Sequence, residues 1–149
     1  MNVIVIHGPN LNLLGTRELS VYGTATLAEV NDEIAAAASG MGISVETHQT
    51  AREGEIIELL HSGIERFEGA LLNPAAYSHT SRAIADAVRA VPYPVVEVHL
   101  SNIHAREPWR RSSVTAEAAA GIVAGFGVNS YIAGLHALQT LVQKEKRSN

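Results

Sequence analysis

Short apolar runs and longer amphipathic stretches alternate along the chain, and their two periods predict two kinds of element. Val3-Ile4-Val5-Ile6 is unbroken, β-branched and ended by Gly8-Pro9, the pattern of a strand buried on both faces. Ile43 to His48 alternates apolar and polar positions and predicts a strand exposed on one side. Ala70-Leu71-Leu72, Val95-Val96-Glu97-Val98 and the glycine-bounded Ile122-Val123-Ala124 complete a set of strands. Between them lie helical stretches. Thr26 to Ser39 carries a capping box (Thr26 with Glu29), an alanine run, and Gly40 and Gly42 to end it. Thr50 and Glu53 repeat the capping-box spacing before a helix with Ile56, Leu59, Leu60, Ile64 and Phe67 on one face. Further helices are predicted over Ser81 to Ala90 and from about Asn129 to Lys144, and the charged tail from Lys144 to Asn149 reads as frayed.

Strands alternating with helices imply parallel βαβ units with right-handed crossovers. The expected fold is α/β: one flavodoxin-like, doubly wound, five-stranded parallel sheet in a single domain over residues 1–149. In such a sheet ligands sit outside the carboxyl ends of the strands, so function is to be sought there.

Composition narrows the classes of partner. A chain of 149 residues suits one domain, and 46 % apolar with 17 % charged residues excludes disorder. A net charge of −4 argues against nucleic acid or a membrane surface as the partner. Cysteine is absent, which excludes disulfides, thiolate metal sites and cysteine nucleophiles. The first apolar run is short and lacks a basic flank, so no secretory signal is expected, no stretch approaches a membrane span, and the cytoplasm is the expected location.

The segment HGPNLNLLGTRE, residues 7 to 18, leaves the first strand where a phosphate loop would stand. It is not one. A P-loop places four residues between its glycines and then Lys-Ser/Thr, whereas six separate Gly8 from Gly15 and Thr16-Arg17 follows. The three-glycine dinucleotide pattern is missing too. Gly-Pro-Asn could be a tight turn and nothing more, but the stretch from Asn10 to Gly23 is long for a strand-to-helix connection. It carries Asn10, Asn12, Arg17, Glu18 and Tyr22, and residues from about 10 to 23 read as a lid.

The other strand ends add to it. The third delivers Asn73 and then PAAYSHTS with His79. The fourth delivers Glu97, His99, Ser101 and Asn102 and then HAREPWRRSS. Residues two apart on a strand share a face, so Glu97 and His99 can point together, and a carboxylate beside an imidazole suits a general acid. If Ala105 to Arg111 forms a helical turn, Arg106 and Arg110 share a face, and two converging guanidiniums suggest an anionic substrate such as a carboxylate. Each residue alone has a structural reading: a strand-end histidine is often structural, and paired arginines are often solvated. His99 and His104 lie five apart, but no acidic or histidine cluster completes a shell, so no metal is expected. No Gly-x-Ser-x-Gly elbow is present. Imidazole, amide, guanidinium and phenol all map to one edge, and that convergence favours catalysis.

Three motifs, GPNLNLLGTRE…VYG, LLNPAAYSHTS and EVHLSNIHAREPWRRSS, resemble type II 3-dehydroquinate dehydratase over nearly the whole chain. Leu19 stands where that family usually has proline, Ala75 where it often has glycine and His7 where it often has asparagine. The resemblance implies a cofactor-free lyase of the shikimate pathway that removes water from 3-dehydroquinate by anti elimination through an enolate. By match of motif, Tyr22 is the base at C2, Arg17 helps keep it ionised and Asn10 holds the water that stabilises the enolate oxygen. His99, oriented by Glu97 and assisted by Asn73, protonates the departing hydroxyl. His79 and Arg110 bind substrate hydroxyls, and the backbone at Leu100 and Ser101 binds the carboxylate. Arg106 belongs beside the tyrosine, and Asp86 reaches in from a neighbouring subunit of a homododecamer, a tetramer of trimers. A phenol acts as a base only once ionised, and one cation at about 4 Å across an effective dielectric near 20 supplies roughly 4 kcal/mol toward that. Two other readings stand beside this one. A binding module that senses a small anion would keep the arginines but has no need of Tyr22 or the Glu97–His99 pair, and a nucleotide-binding protein lacks its glycine loop.

Overall fold

In the computed structural model, which describes residues 1–148, the first apolar run becomes β1 (Asn2–His7), buried from Val3 onward. β2 (Ser44–Gln49), β3 (Gly69–Asn73), β4 (Val95–His99) and β5 (Gly121–Ala124) join it in one parallel sheet of order β2-β1-β3-β4-β5. This is the expected doubly wound α/β arrangement. Val3 and Val5 face one way, with Leu71, Val96 and Val98, and pack on α2 (Leu27–Gly40) and α5 (Asn129–Ser148). Ile4 and Ile6 face the other way, with Leu72 and Val95, and pack on α3 (Glu53–Ser62) and α4 (Arg82–Ala90). Period-two alternation on a sheet covered on both faces explains why the strands read as nearly continuous apolar runs. A short α1 (Leu19–Tyr22) stands in the connection after β1.

Helix starts show where local signals decide. The Thr26–Glu29 capping box forms at the head of α2. The second capping box does not form. α3 begins at Glu53 after an extended Arg52, which leaves Thr50 too far upstream to cap it. Thr50 instead accepts from the Arg52 N–H at 3.1 Å and donates to Glu55, while Glu53 accepts from Ser81, the N-cap of α4. Ile64 and Phe67 fall beyond the end of α3, and Ile64 is exposed. β2 is half-buried on both sides from Val45 onward rather than exposed on one. α5 continues through Ser148, four residues beyond Lys144, with Lys146 paired to Glu68, so the tail that reads as frayed is helical as far as it is described.

The order of strands reverses direction between β1 and β3, and a crevice opens there at their carboxyl ends. Gly8, just past β1, donates its N–H to the Asn73 carbonyl at 2.7 Å, and a Cβ at Gly8 would sit 2.7 Å from the Pro74 backbone. Only glycine permits that approach. Beside it His7 is fully buried, with Nε2 2.8 Å from Asn31 Oδ1 and Nδ1 2.9 Å from the Tyr131 hydroxyl.

Burial pushes the His7 imidazole down to about 4, against a smaller opposing effect of the Asn31 hydrogen bond. The unfolded chain binds this proton near 6.5, so between the two values it holds more protons than the fold, and stability rises with pH. The contribution is complete above about pH 6.5 and is lost as pH falls through about 4, amounting to about 3 kcal/mol. Urea unfolding across pH 7 to 4 is expected to show that loss in the native chain and a flatter profile in His7→Asn. Equal slopes would place the titration elsewhere.

Candidate active site

β4 carries the most buried charge of the carboxyl edge. Glu97 and His99 lie two apart on the face of β4 that also carries Val95. Glu97 Oε1 is 2.6 Å from His99 Nε2, with both side chains nearly sealed from solvent. The same carboxylate accepts from Ser113 Oγ at 2.6 Å and from Thr115 Oγ1 at 2.5 Å. Three donors replace the water that burial removed and hold Glu97 as an acceptor, so the Nε2–H of His99 points at it and Nδ1 is the ring's free nitrogen.

Asn73 ends β3 on the opposite face. Its Oδ1 accepts from the Ala75 N–H at 3.1 Å and its Nδ2 donates to Tyr131 at 3.0 Å. Ala75 has φ 52, a left-handed conformation costing about 1–2 kcal/mol for a residue with a Cβ. That explains why the resembled family often has glycine there. Leu19 is the first residue of α1, the helical position that accepts proline, and leucine leaves the turn intact.

The segment from Asn10 to Gly23 is ordered by turns rather than burial. Asn10, Gly15, Glu18 and Gly23 all have positive φ, Leu11 and Leu14 are its buried anchors, and no residue of α1 is buried. Tyr22 lies between two guanidiniums, each 5.2 Å from its ring centre, one from Arg17 and one from Arg106. Arg106 Nη1 donates to the phenol oxygen at 2.6 Å. Glu18 takes one hydrogen bond from each arginine, from Arg17 at 2.8 Å and from Arg106 at 3.3 Å. The contact with the phenol oxygen thus comes from Arg106, while Arg17 lies over the ring.

A small cavity of about 40 Å³ joins these groups, lined by Tyr22, Asn73, His79, His99, Arg106 and Arg110 together with Leu100 and Ser101. A second of about 40 Å³ is lined by Asn10, Arg17 and Tyr22 and shares Leu11, Tyr22 and Ala75 with the first. Asn10 and Arg17 line the second cavity and His99 the first. Arg106 and Arg110 do not share a helical face: short 3₁₀ turns over Ile103–Ala105 and Pro108–Arg110 flank an extended Arg106. They still reach one cavity, and Glu107 pairs with Arg110 at 2.6 Å and lies 3.8 Å from Arg106. His79 Nδ1 donates to the Ser112 carbonyl at 2.7 Å, and its ring meets Trp109 edge-on. Asp86 is not in this group. It is exposed on α4 and lines neither cavity. Ser113, Thr115 and Tyr131 join the site through partners 16, 18 and 58 positions away, and hydroxyls so distant in sequence carry no local signal of what they solvate.

This arrangement meets close counterparts elsewhere. The family model for class II dehydroquinases matches residues 1–139. A protein named 3-dehydroquinate dehydratase 1 from Agrobacterium fabrum is 49 % identical over 139 residues, covering 93 % of this chain and 96 % of its own. A 3-dehydroquinate dehydratase from a Chelativorans species is 52 % identical over 137 residues, covering 91 % and 94 %. The crystal structure of a type II dehydroquinase from Butyrivibrio crossotus superposes with a TM-score of 0.91 at 37 % identity, covering 93 % of this chain and 97 % of that one.

Thr115 is fully buried on Glu97, so Thr115→Val keeps the shape and removes one donor from a charged acceptor. It is expected to cost about 1.5–3 kcal/mol of stability in urea unfolding. No measurable loss would mean that Glu97 is solvated adequately by the other two donors.

Proposed function

Because the chain belongs to the class II dehydroquinase family and has its activity, the dehydration of 3-dehydroquinate in the shikimate pathway, we propose that Tyr22 and His99 divide that chemistry as base and acid. What carries this reading is the pairing of each group within one cavity: Arg106 on the phenol oxygen, and Glu97 on the imidazole. Ionised Tyr22 takes the proton from C2, next to the ketone, and an enolate forms. A water held by Asn10 stabilises the enolate oxygen. The electrons then form the C1–C2 double bond as the C1–O bond breaks. Protonated His99, oriented by Glu97 and assisted by Asn73, gives its proton to the departing hydroxyl, which leaves as water. Tyr22 ends protonated and His99 neutral, and the proton passes back before the next turnover. Arg106 donates to the phenol oxygen and Arg17 lies against the ring. His79 and Arg110 bind the remaining hydroxyls, and the backbone at Leu100 and Ser101 the carboxylate. No Schiff base enters, since the chain's lysines are Lys144 and Lys146, both on the last turns of α5.

A cavity of about 40 Å³ is far below the several hundred of an ordinary ligand site, so substrate entry requires the segment bearing Tyr22 to swing aside as a lid. The proposed assembly is a homododecamer, a tetramer of trimers, in which Asp86 completes a neighbour's site. Supporting it are the unpaired edge of β5 and the exposed Ile122 and Phe126 beside it, a surface that asks for cover. The proposed setting is the cytoplasm, and among the described residues no helix is long and apolar enough to cross a membrane.

Tyr22→Phe removes one oxygen and keeps the ring. Turnover, read from the absorbance of the conjugated enone product, is expected to fall at least about 10²-fold, with KM changed less than about tenfold. A variant near the native rate would move the base elsewhere. Sedimentation is expected to give twelve copies of the 15.8 kDa chain, about 190 kDa, and Asp86→Ala to raise KM more than it lowers kcat. A fully active monomer would remove the role of Asp86.

A further inference from the structure

His7 and Asn73 are register partners at the ends of β1 and β3, so their side chains leave the sheet on one face, toward α5. Tyr131 of α5 meets both: its hydroxyl is 2.9 Å from His7 Nδ1 and 3.0 Å from Asn73 Nδ2. All three residues are buried, His7 and Tyr131 completely. Asn31 on α2 closes the far end at 2.8 Å from His7 Nε2.

One backbone group sets the direction of every bond in this chain. The Ala75 N–H can only donate, so the Asn73 atom facing it at 3.1 Å is the carbonyl oxygen, and the amide nitrogen faces Tyr131. An amide nitrogen can only donate, so the Tyr131 oxygen accepts from it. The phenol's own hydrogen then goes to its other partner, Nδ1 of His7, which must be bare. The remaining ring hydrogen sits on Nε2 and goes to Asn31 Oδ1. Every polar group is satisfied in one sense only. A second hydrogen on His7 would point at the phenol oxygen and deprive its hydroxyl of an acceptor. Burial holds His7 neutral, as this pattern needs.

We infer that Tyr131, His7 and Asn31 are positioning residues for Asn73. Together with the Ala75 N–H, which takes the carbonyl, they hold its amide so that the second Nδ2 hydrogen is offered to the cavity that Asn73 lines. This rests on the reading of Asn73 as a contact of the departing hydroxyl. An oxygen leaving with its bonding electrons is stabilised by a donor and opposed by a carbonyl, so the sense of the amide matters to the chemical step more than to ground-state binding. The chain reaches the site from α2 and α5, neither of which supplies a substrate contact in the mechanism above.

A double-mutant cycle separates positioning from packing. Tyr131→Phe and Asn31→Ala are each combined with Asn73→Ala, and kcat and KM are measured with 3-dehydroquinate. In the native background Tyr131→Phe is expected to lower kcat about tenfold or more and Asn31→Ala less, with KM within about threefold. Once Asn73 is alanine, neither is expected to lower kcat further by more than about twofold. Equal falls in both backgrounds would show an effect through the fold and overturn the inference, as would native kcat in both single variants. Should Tyr131→Phe not fold, Asn31→Ala, at a half-buried position on the far end of the chain, carries the same comparison. Native activity in Asn73→Ala alone would overturn the reading of Asn73 and the inference with it. A slow Asn73→Ala with additive partners would overturn the inference only.

Discussion

A parallel sheet covered by helices on both faces leaves buried polar groups almost nowhere to go but the carboxyl edge, where the strands end and the chain must turn. The buried polar side chains of the described residues obey this constraint closely. His7, Asn73, Glu97 and His99 lie at or within the last three residues of their strands, Thr50 directly follows β2, Ser78 and Ser81 lie in the connection from β3 to α4, Ser130 lies in the first turn of α5 after β5, and Thr115 comes from the run before β5. The apolar centre of the sheet is what makes this edge chemically distinct, because a polar group removed from water there must be satisfied by neighbours the fold provides.

Two such neighbourhoods meet across the sheet. On the α3 and α4 face, Glu97 is a carboxylate solvated by one imidazole and two hydroxyls. Stripping a hydrogen-bond donor from a buried charge costs about 1.5–3 kcal/mol, so the three donors hold Glu97 in place and through it the ring of His99. On the α2 and α5 face, a neutral chain of imidazole, phenol and amide does the same for Asn73. The first is held by charge and the second by the fixed direction of its hydrogen bonds. Both rest on elements whose apolar faces form the core, so geometry at the edge is inherited from packing some distance beneath it.

What could be read in advance follows from how far apart the determining residues lie. The strands, the Thr26–Glu29 capping box and the shared face of Glu97 and His99 depend on residues within a few positions of one another, and composition with spacing reveals them. The same local logic fails at Thr50 and Glu53, where the spacing is right but each side chain is drawn to a partner outside the box, Glu55 and Ser81. It fails again at Arg106 and Arg110, whose shared destination is set by two 3₁₀ turns around an extended residue and not by one helical face. The contacts of Tyr131 with His7 and Asn73 cross 124 and 58 positions of the sequence, and nothing in the neighbourhood of any one of the three announces the other two. The motif resemblance supplied Tyr22, Arg17 and Asn10, which composition alone gave no reason to prefer over the other polar residues of that segment.

The two halves of the site also differ in what holds them. Glu97 and His99 lie on one central strand, with backbone paired and side chains nearly sealed, so their contact exists whenever the sheet does. Tyr22 has no such guarantee. It lies on a four-residue helix without a buried residue, between positions of positive φ, and its phenol meets a guanidinium that comes from a turn beyond β4. Glu18, exposed and hydrogen-bonded to both Arg17 and Arg106, ties the two segments together with bonds open to solvent, of a kind worth little individually. Local opening of the segment from Asn10 to Gly23 would therefore separate Tyr22 from Arg106 while leaving Glu97 and His99 untouched, since few buried contacts resist the first and the core resists the second. The imidazole half of the cavity is a fixed property of the fold, and the phenol half is assembled only when its two segments meet.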